Sequence, residues 1–147
     1  MWIAREVEGL IRRMAKQFPA VLITGARQTG KTSLLRHLYP RTSYLTLDLP
    51  ANAEAARTAP DELLKAYPPP VIIDEIQYAP SLLRHLKVHI DQDRSPGRFL
   101  LTGSQVFPLM HGVSESLAGR CAVLNLHTLA RAELLAAGHA IEECGYL

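Results

Sequence analysis

The sequence lacks several features that would assign it to common classes of protein. It contains no run of about 18 or more apolar residues, so no transmembrane helix is predicted. Its 16 Lys and Arg residues nearly balance its 14 Asp and Glu residues, and like charges never form a long block. A general nucleic-acid-binding surface is therefore not indicated. Only two cysteines occur, Cys121 and Cys144, and they match no metal or redox spacing.

The composition is that of a folded protein. Hydrophobic residues make up 48% of the 147 residues and charged residues 20%, so we expect residues 1–147 to form a single compact core. Residues 1–18 lack the continuous apolar stretch and the small-residue cleavage site of a signal peptide. We therefore expect a cytoplasmic location.

Five short apolar segments predict β-strands, and patterns typical of helices lie between most of them. The predicted strands are residues 20–24, 42–48, 71–74, 98–104 and 121–127. Asp61, after Pro60, is predicted to cap one of the intervening helices, and Ser81 is predicted to begin another. Five strands alternating with helices indicate an α/β fold with a parallel sheet covered on both faces.

The segment after the first predicted strand has a distinctive glycine spacing. Gly25 is followed by four residues and then by Gly30, Lys31 and Thr32, which is the spacing of a phosphate-binding P-loop, or Walker A motif, at residues 25–32. Lys31 would reach the terminal phosphates of a nucleotide, and Thr32 would ligate Mg²⁺. The alternative is a glycine-rich turn that contains Lys and Thr by chance. We predict that ATP contacts the following residues of the segment: Gly25, Gln28, Thr29, Gly30, Lys31, Thr32 and Ser33.

The third predicted strand ends in two consecutive carboxylates, Asp74 and Glu75. Ligands of open parallel sheets bind at the carboxyl ends of the strands. Residues 71–75 therefore predict a Walker B motif, in which Asp74 holds Mg²⁺ and Glu75 polarises the attacking water as a general base. The alternative is a pair of carboxylates that only complements a helix dipole.

Glu75 also bears on the class of reaction. Nucleotide kinases need no glutamate after the strand aspartate, so Glu75 favours ATP hydrolysis. A small-molecule kinase should also carry several arginines in a lid, whereas residues 105–120 contain one. A nucleotide-gated binding module with little hydrolysis stays open as a further alternative.

Four segments, taken together, resemble predicted prokaryotic AAA+-type ATPases. They are GARQTGKT at 25–32, DEIQ at 74–77, LTGS at 101–104 and SLAGR at 116–120. The resemblance implies a five-stranded AAA+-like P-loop core, with strand order 5-1-4-3-2, that binds ATP and Mg²⁺. Members of this family usually continue into a further domain, and a helical lid is here missing or reduced to residues 128–147. We therefore expect an excised core or a short homologue.

The resemblance also implies roles for residues outside the two Walker motifs. Ser104 ends the fourth strand, where the family places a polar sensor of the γ-phosphate or the attacking water, and Thr102 is a second candidate. Arg120, directly before the fifth strand, matches an arginine finger that is presented to a neighbouring subunit, which implies a homo-oligomer. An ordinary turn residue at Ser104 and a helix cap at Arg120 stay open as alternatives.

Overall fold

The computed structural model describes residues 7–26, 30–104 and 107–126. The strands in these ranges are β1 (Ala20–Thr24), β2 (Ser43–Thr46), β3 (Val71–Asp74), β4 (Phe99–Gly103) and β5 (Cys121–Asn125). The α-helices are α1 (Glu8–Gln17), α2 (Lys31–Leu38), α3 (Pro50–Thr58), α4 (Pro60–Ala66), α5 (Leu82–Gln92) and α6 (Phe107–Ser116). A 3₁₀ helix at Ile76–Tyr78 follows β3 directly.

The five strands form one sheet in the order β2-β3-β4-β1-β5, and every pairing is parallel. Read from the other edge, this is the predicted order 5-1-4-3-2, so the predicted fold is confirmed. The register aligns Thr24, the last residue of β1, with Gly103 of β4 and Asn125 of β5. The carboxyl ends of these strands therefore meet at one edge of the sheet.

Buried side chains pack on both faces of the sheet. Leu22 and Leu101 belong to a core cluster that includes residues of α3, α4, α5 and α6, whereas Ile23 and Leu100 pack with α1 and α2 on the other face. All residues of β1, β3 and β4 are buried, which explains why these strands are continuous apolar runs without alternation. The edge strands β2 and β5 are partly exposed.

One predicted helix boundary is wrong. Helix α4 begins at Pro60 with Ala59 in the N-cap position, so Asp61 is not the cap. Proline suits the first helical position because its missing N–H would have no partner within the helix. The Asp61 carboxylate instead lies 3.7 Å from His85 Nδ1 and 3.6 Å from His89 Nε2 of α5.

The remaining predictions about local structure have mixed outcomes. Ser81 occupies the N-cap position of α5, as predicted. Helix α3 and the 3₁₀ helix have no counterpart among the predicted elements. Residues 128–147, considered above as a reduced lid, lie outside the described residues. Within the described part of the chain, no helix has both the length and the apolar character needed to cross a membrane.

Candidate nucleotide-binding site

A cleft of about 340 Å³ opens at the carboxyl edge of the sheet. Residues of both predicted Walker motifs line it, together with residues that follow β2 and β3: Gly30, Lys31, Thr32, Ser33, Asp48, Asp74, Glu75 and Tyr78. Gln28 and Thr29, which are also predicted to contact ATP, lie outside the described residues. The fold thus brings together two segments that are more than 40 residues apart in sequence.

The P-loop segment enters α2 through a backbone conformation that only glycine adopts without strain. Gly30 has φ of 85°, in the left-handed region, and is the N-cap of α2. The next side chain, Lys31, is only 6% exposed. Its ammonium donates to the backbone oxygens of Gly25 and Ala26, each at 2.9 Å. The two carbonyls compensate for the burial of the positive charge, and they hold the lysine across the loop.

The Asp74 carboxylate, at the end of β3, is almost fully buried and accepts four hydroxyl donors. Its Oδ1 accepts from Thr32 Oγ1 and, at 2.7 Å, from Thr102 Oγ1. Its Oδ2 accepts from Tyr44 Oη and Thr46 Oγ1, each at 3.0 Å. Because a buried carboxylate is costly without hydrogen bonds, these four donors make its position at the base of the cleft tenable.

The two donors on β2, Tyr44 and Thr46, are not among the site residues predicted from the sequence. A signal for them exists, because Tyr44, Thr46 and Asp48 alternate with the buried Leu45 and Leu47. Burial and, after it, the nearby charge of Asp74 raise the pKa of Tyr44. The phenol therefore keeps the proton that it donates.

Glu75, predicted as the general base, has an unusual backbone and a side-chain partner. Its φ of 60° and ψ of 51° lie in the left-handed region, and its N–H donates to Thr102 Oγ1 at 3.0 Å. Its Oε2 accepts a hydrogen bond from Nε2 of Gln77, the last residue of the DEIQ segment. Gln77 Oε1 in turn accepts from the backbone N–H of Ser104 at 3.2 Å. The predicted base and the predicted sensor are therefore joined through one amide group.

Comparison with known proteins places the chain in a family. A family model described as an AAA domain matches residues 17–135. The chain belongs to this AAA domain family. The resemblance inferred from the four sequence segments is thereby confirmed, and the assignment supports nucleotide binding.

Two curated relatives of this AAA domain are longer proteins. They are the uncharacterized proteins Mb2031c of Mycobacterium bovis and Rv2008c of Mycobacterium tuberculosis. Each is 37% identical to this chain over 126 residues, a match that covers 85% of the chain and 29% of the relative. The chain thus spans less than a third of the length of these relatives.

Solved structures share the fold of this AAA domain. The Walker-type ATPase PABY2304 of Pyrococcus abyssi has a TM-score of 0.58 and 16% identity, with 97% of this chain and 61% of that chain covered. A STAND protein with a tetratricopeptide repeat sensor, PH0952 of Pyrococcus horikoshii, has a TM-score of 0.54 and 16% identity, with 92% of this chain and 25% of that chain covered. At these identities the likeness establishes the P-loop ATPase fold alone.

Arg120 lies at the other end of the sheet of this AAA domain. Its backbone oxygen accepts from Ala20 N–H at the start of β1, whereas the P-loop follows the end of β1. At about 3.3 Å per residue, the five residues of β1 separate these two points by roughly 17 Å. The guanidinium is bound to Asp91 in two places, at 2.7 Å from Nε and 3.1 Å from Nη2, and this pairing lowers the pKa of Asp91. The role of Arg120 as an arginine finger stays a prediction.

Thr102→Val tests whether the hydroxyl beneath the cleft stabilises the fold. The variant keeps the shape of the fully buried side chain but removes its bond to Asp74 and leaves Glu75 N–H without that acceptor. We expect the free energy of unfolding in urea to fall by about 1 to 3 kcal/mol. The matched control is Thr58→Val, on the exposed end of α3, which should change it by less than about 0.5 kcal/mol. Equal values for the two variants would contradict a stabilising role for Thr102.

Proposed function

We propose that residues 1–147 act as one ATP-binding unit that hydrolyses ATP to ADP and phosphate with Mg²⁺. One observation carries this proposal: the Thr32 hydroxyl contacts the Asp74 carboxylate, which brings the end of β3 against the first turn of α2. Lys31, which precedes Thr32, and Glu75, which follows Asp74, line the same cleft. A phosphate-binding cation, a metal-ligating pair and a base are therefore close together.

The chemistry of Thr32 and Asp74 fits Mg²⁺. A hydroxyl and a carboxylate are hard oxygen ligands, and the four donors to Asp74 named above are uncharged, so its negative charge is still available to a cation. Residues 7–26, 30–104 and 107–126 contain no group of three or more His, Cys, Asp or Glu that could hold a metal by themselves. Mg²⁺ needs no such cage beside a nucleotide, because phosphate oxygens and water complete its coordination. When bound, the ion neutralises charge on the β- and γ-phosphates.

Lys31 and the start of α2 provide the positive side of the cleft. The Lys31 ammonium already lies against the loop carbonyls of Gly25 and Ala26, and the β- and γ-phosphates would replace these neutral acceptors with charged ones. The N-terminal end of α2 adds the positive pole of the helix dipole and N–H groups that have no partner within the helix itself. Binding of a triphosphate is thus favoured by charge on one side of the cleft.

Glu75 accepts the proton of the attacking water in this proposal. Its side chain lines the cleft directly beyond Asp74. The left-handed backbone at a residue other than glycine costs on the order of 1 to 3 kcal/mol, which the surrounding structure has to offset. The bond from Glu75 N–H to Thr102 helps to do so, and it fixes the backbone from which the carboxylate projects.

Lys31→Ala should weaken ATP binding at least about tenfold, because a hydrogen bond to a charged group is worth about 1.5 to 3 kcal/mol. Isothermal titration calorimetry with MgATP measures the affinity, and circular dichroism checks the fold. The matched control is Lys65→Ala, an exposed lysine of α4, which should bind ATP as the wild type does. Wild-type affinity in a folded Lys31→Ala variant would show that the P-loop assignment is wrong.

Glu75→Gln should separate binding from chemistry. The amide has nearly the shape of the carboxylate but cannot accept a proton from water, so ATP should bind normally while turnover falls by about 10² to 10⁴. Phosphate release under steady-state conditions measures turnover. Glu62→Gln, on the exposed side of α4, makes the same chemical change away from the cleft and should be as active as the wild type. If Glu75→Gln turned over ATP at the wild-type rate, the base would have to lie elsewhere.

A role for Arg120 requires a second subunit. The residue lies at the amino ends of the strands, whereas the cleft of its own chain lies at their carboxyl ends. Its side chain is 20% exposed beside Asp91. The sequence contains no other arginine between Arg98 and Arg131. A guanidinium at this position can reach a nucleotide only when another copy of the chain presents its cleft to it, which makes a homo-oligomer part of the proposal.

Arg120→Ala should lower turnover by about 10³ to 10⁵ and leave ATP affinity nearly unchanged. Mixing this variant with Glu75→Gln should restore activity, because each can provide what the other lacks at a shared interface. The control is Arg94→Ala, since Arg94 also contacts Asp91, at 3.3 Å, but lies on the exposed surface. An inactive mixture of two ATP-binding variants, together with activity that does not depend on protein concentration, would show that Arg120 does not act on a neighbouring cleft and would leave it the structural pairing with Asp91.

A further inference from the structure

Gln77 is bonded at both ends of its amide. Nε2 donates to Glu75 Oε2, and Oε1 accepts from the backbone N–H of Ser104 at 3.2 Å. A carboxylate only accepts and a backbone N–H only donates, so one orientation of the amide satisfies both partners and the flipped orientation satisfies neither. The side chain is therefore fixed in direction by hydrogen-bond chemistry.

The end of β4 approaches Gln77 very closely. A Cβ atom built on Gly103 would lie 2.8 Å from Leu109 Cδ2, 3.0 Å from Ile76 Cγ2 and 3.3 Å from Gln77 Oε1. Ile76 and Leu109 are fully buried, so neither side chain can give way by turning into solvent. Glycine at position 103 thus permits the strand end to pack directly against the 3₁₀ helix that carries Gln77.

The 3₁₀ helix is closed by its own backbone hydrogen bonds between residues three apart. Tyr78 N–H donates to Glu75 O and Ala79 N–H donates to Ile76 O, each at 3.1 Å. Gln77 therefore projects from a short, hydrogen-bonded turn. The first hydrogen bond of this turn is accepted by the backbone oxygen of Glu75, the residue whose side chain Gln77 contacts. The end of β4 and the Glu75 carboxylate are thus connected through a single side chain, that of Gln77.

We propose that Gln77 is a positioning residue for hydrolysis, whose amide fixes the Glu75 carboxylate relative to the end of β4. This inference rests on the proposed role of Glu75 as the base. The bond from Gln77 is made to Oε2 of Glu75, and in this proposal Oε1, which that bond does not involve, accepts the proton from water. Ser104 takes part through its backbone N–H, so the β4 end acts on the base without needing the Ser104 hydroxyl.

The chemistry of the amide is specific to this task. Methionine has nearly the same length but makes neither hydrogen bond. Glutamate keeps an acceptor for Ser104 N–H. It places a second negative charge beside Glu75, however, where the native amide donates a hydrogen bond. Gln77→Met and Gln77→Glu therefore remove the bond to Glu75 in two independent ways.

The first experiment compares steady-state ATP hydrolysis by both variants with that of the wild type. We expect kcat to fall about tenfold to 10²-fold in each, because a misplaced catalytic group costs rate, with KM for ATP within about twofold. Gln92→Met, at the exposed end of α5, is the matched control and should keep the wild-type kcat. Thermal unfolding identifies any variant that does not fold, in which case the other variant at position 77 decides. A wild-type kcat in a folded variant at position 77 overturns the proposal.

The second experiment repeats Gln77→Met in the Glu75→Gln background and measures single-turnover rates. If Gln77 acts through Glu75, the second substitution should cause no further loss of rate. An equal fractional loss in both backgrounds would mean that Gln77 has only a structural role, and it would overturn the proposal. A wild-type rate for Glu75→Gln alone would instead overturn the assignment of the base, which separates the two failures.

Discussion

The buried carboxylate of Asp74 has to be compensated by hydrogen bonds, and this constraint ties together the elements around the cleft. Its four hydroxyl donors come from β2 and β4, the two neighbours of β3 in the sheet, and from helix α2. A shift of any of these elements would remove one or two of the four donors from a buried charged group, which is costly in a protein interior. The local structure is thus fixed by the same group that we propose to bind the metal.

The parallel register of the sheet makes this arrangement possible. Thr46 is the register partner of Asp74, and Thr102 follows Leu101, the partner of Ile73. The polar residues of three adjacent strands therefore arrive at the same level, directly above an apolar core. Because β1, β3 and β4 are buried on both faces, these strand ends are the places where polar side chains can reach the cleft.

The two edges of the sheet have different roles in the proposed function. The cleft lies at the carboxyl ends of the strands. There Glu75, which we propose as the base, is connected by hydrogen bonds through Gln77 to the end of β4. The amino edge holds Arg120, whose charge is paired with Asp91 of α5. In the proposed function, the cleft and this cation lie on opposite sides of the domain, so the cation would act on the cleft of another copy.

The sequence by itself determined the fold class, the strand positions and the segments of the cleft. β1 matches its predicted bounds because Pro19 and Gly25 enclose an uninterrupted apolar run, and the spacing of Gly25, Gly30 and Lys31 is a local property of the chain. Strands β2, β4 and β5 are shorter than the corresponding predicted strands by one or more residues. The reason is that hydrogen bonding between strands decides where pairing stops.

Only the tertiary structure decided which side chains meet in the cleft. Tyr44 and Thr102 lie 30 and 28 residues from Asp74, and no local pattern encodes a contact over that separation. Such contacts depend on the register between parallel strands, which is set by the packing of the helices that connect them. For the same reason, the link from Gln77 to Ser104 depends on the pairing of β3 with β4, and the position of Arg120 at the amino ends of the strands depends on the pairing of β5 with β1.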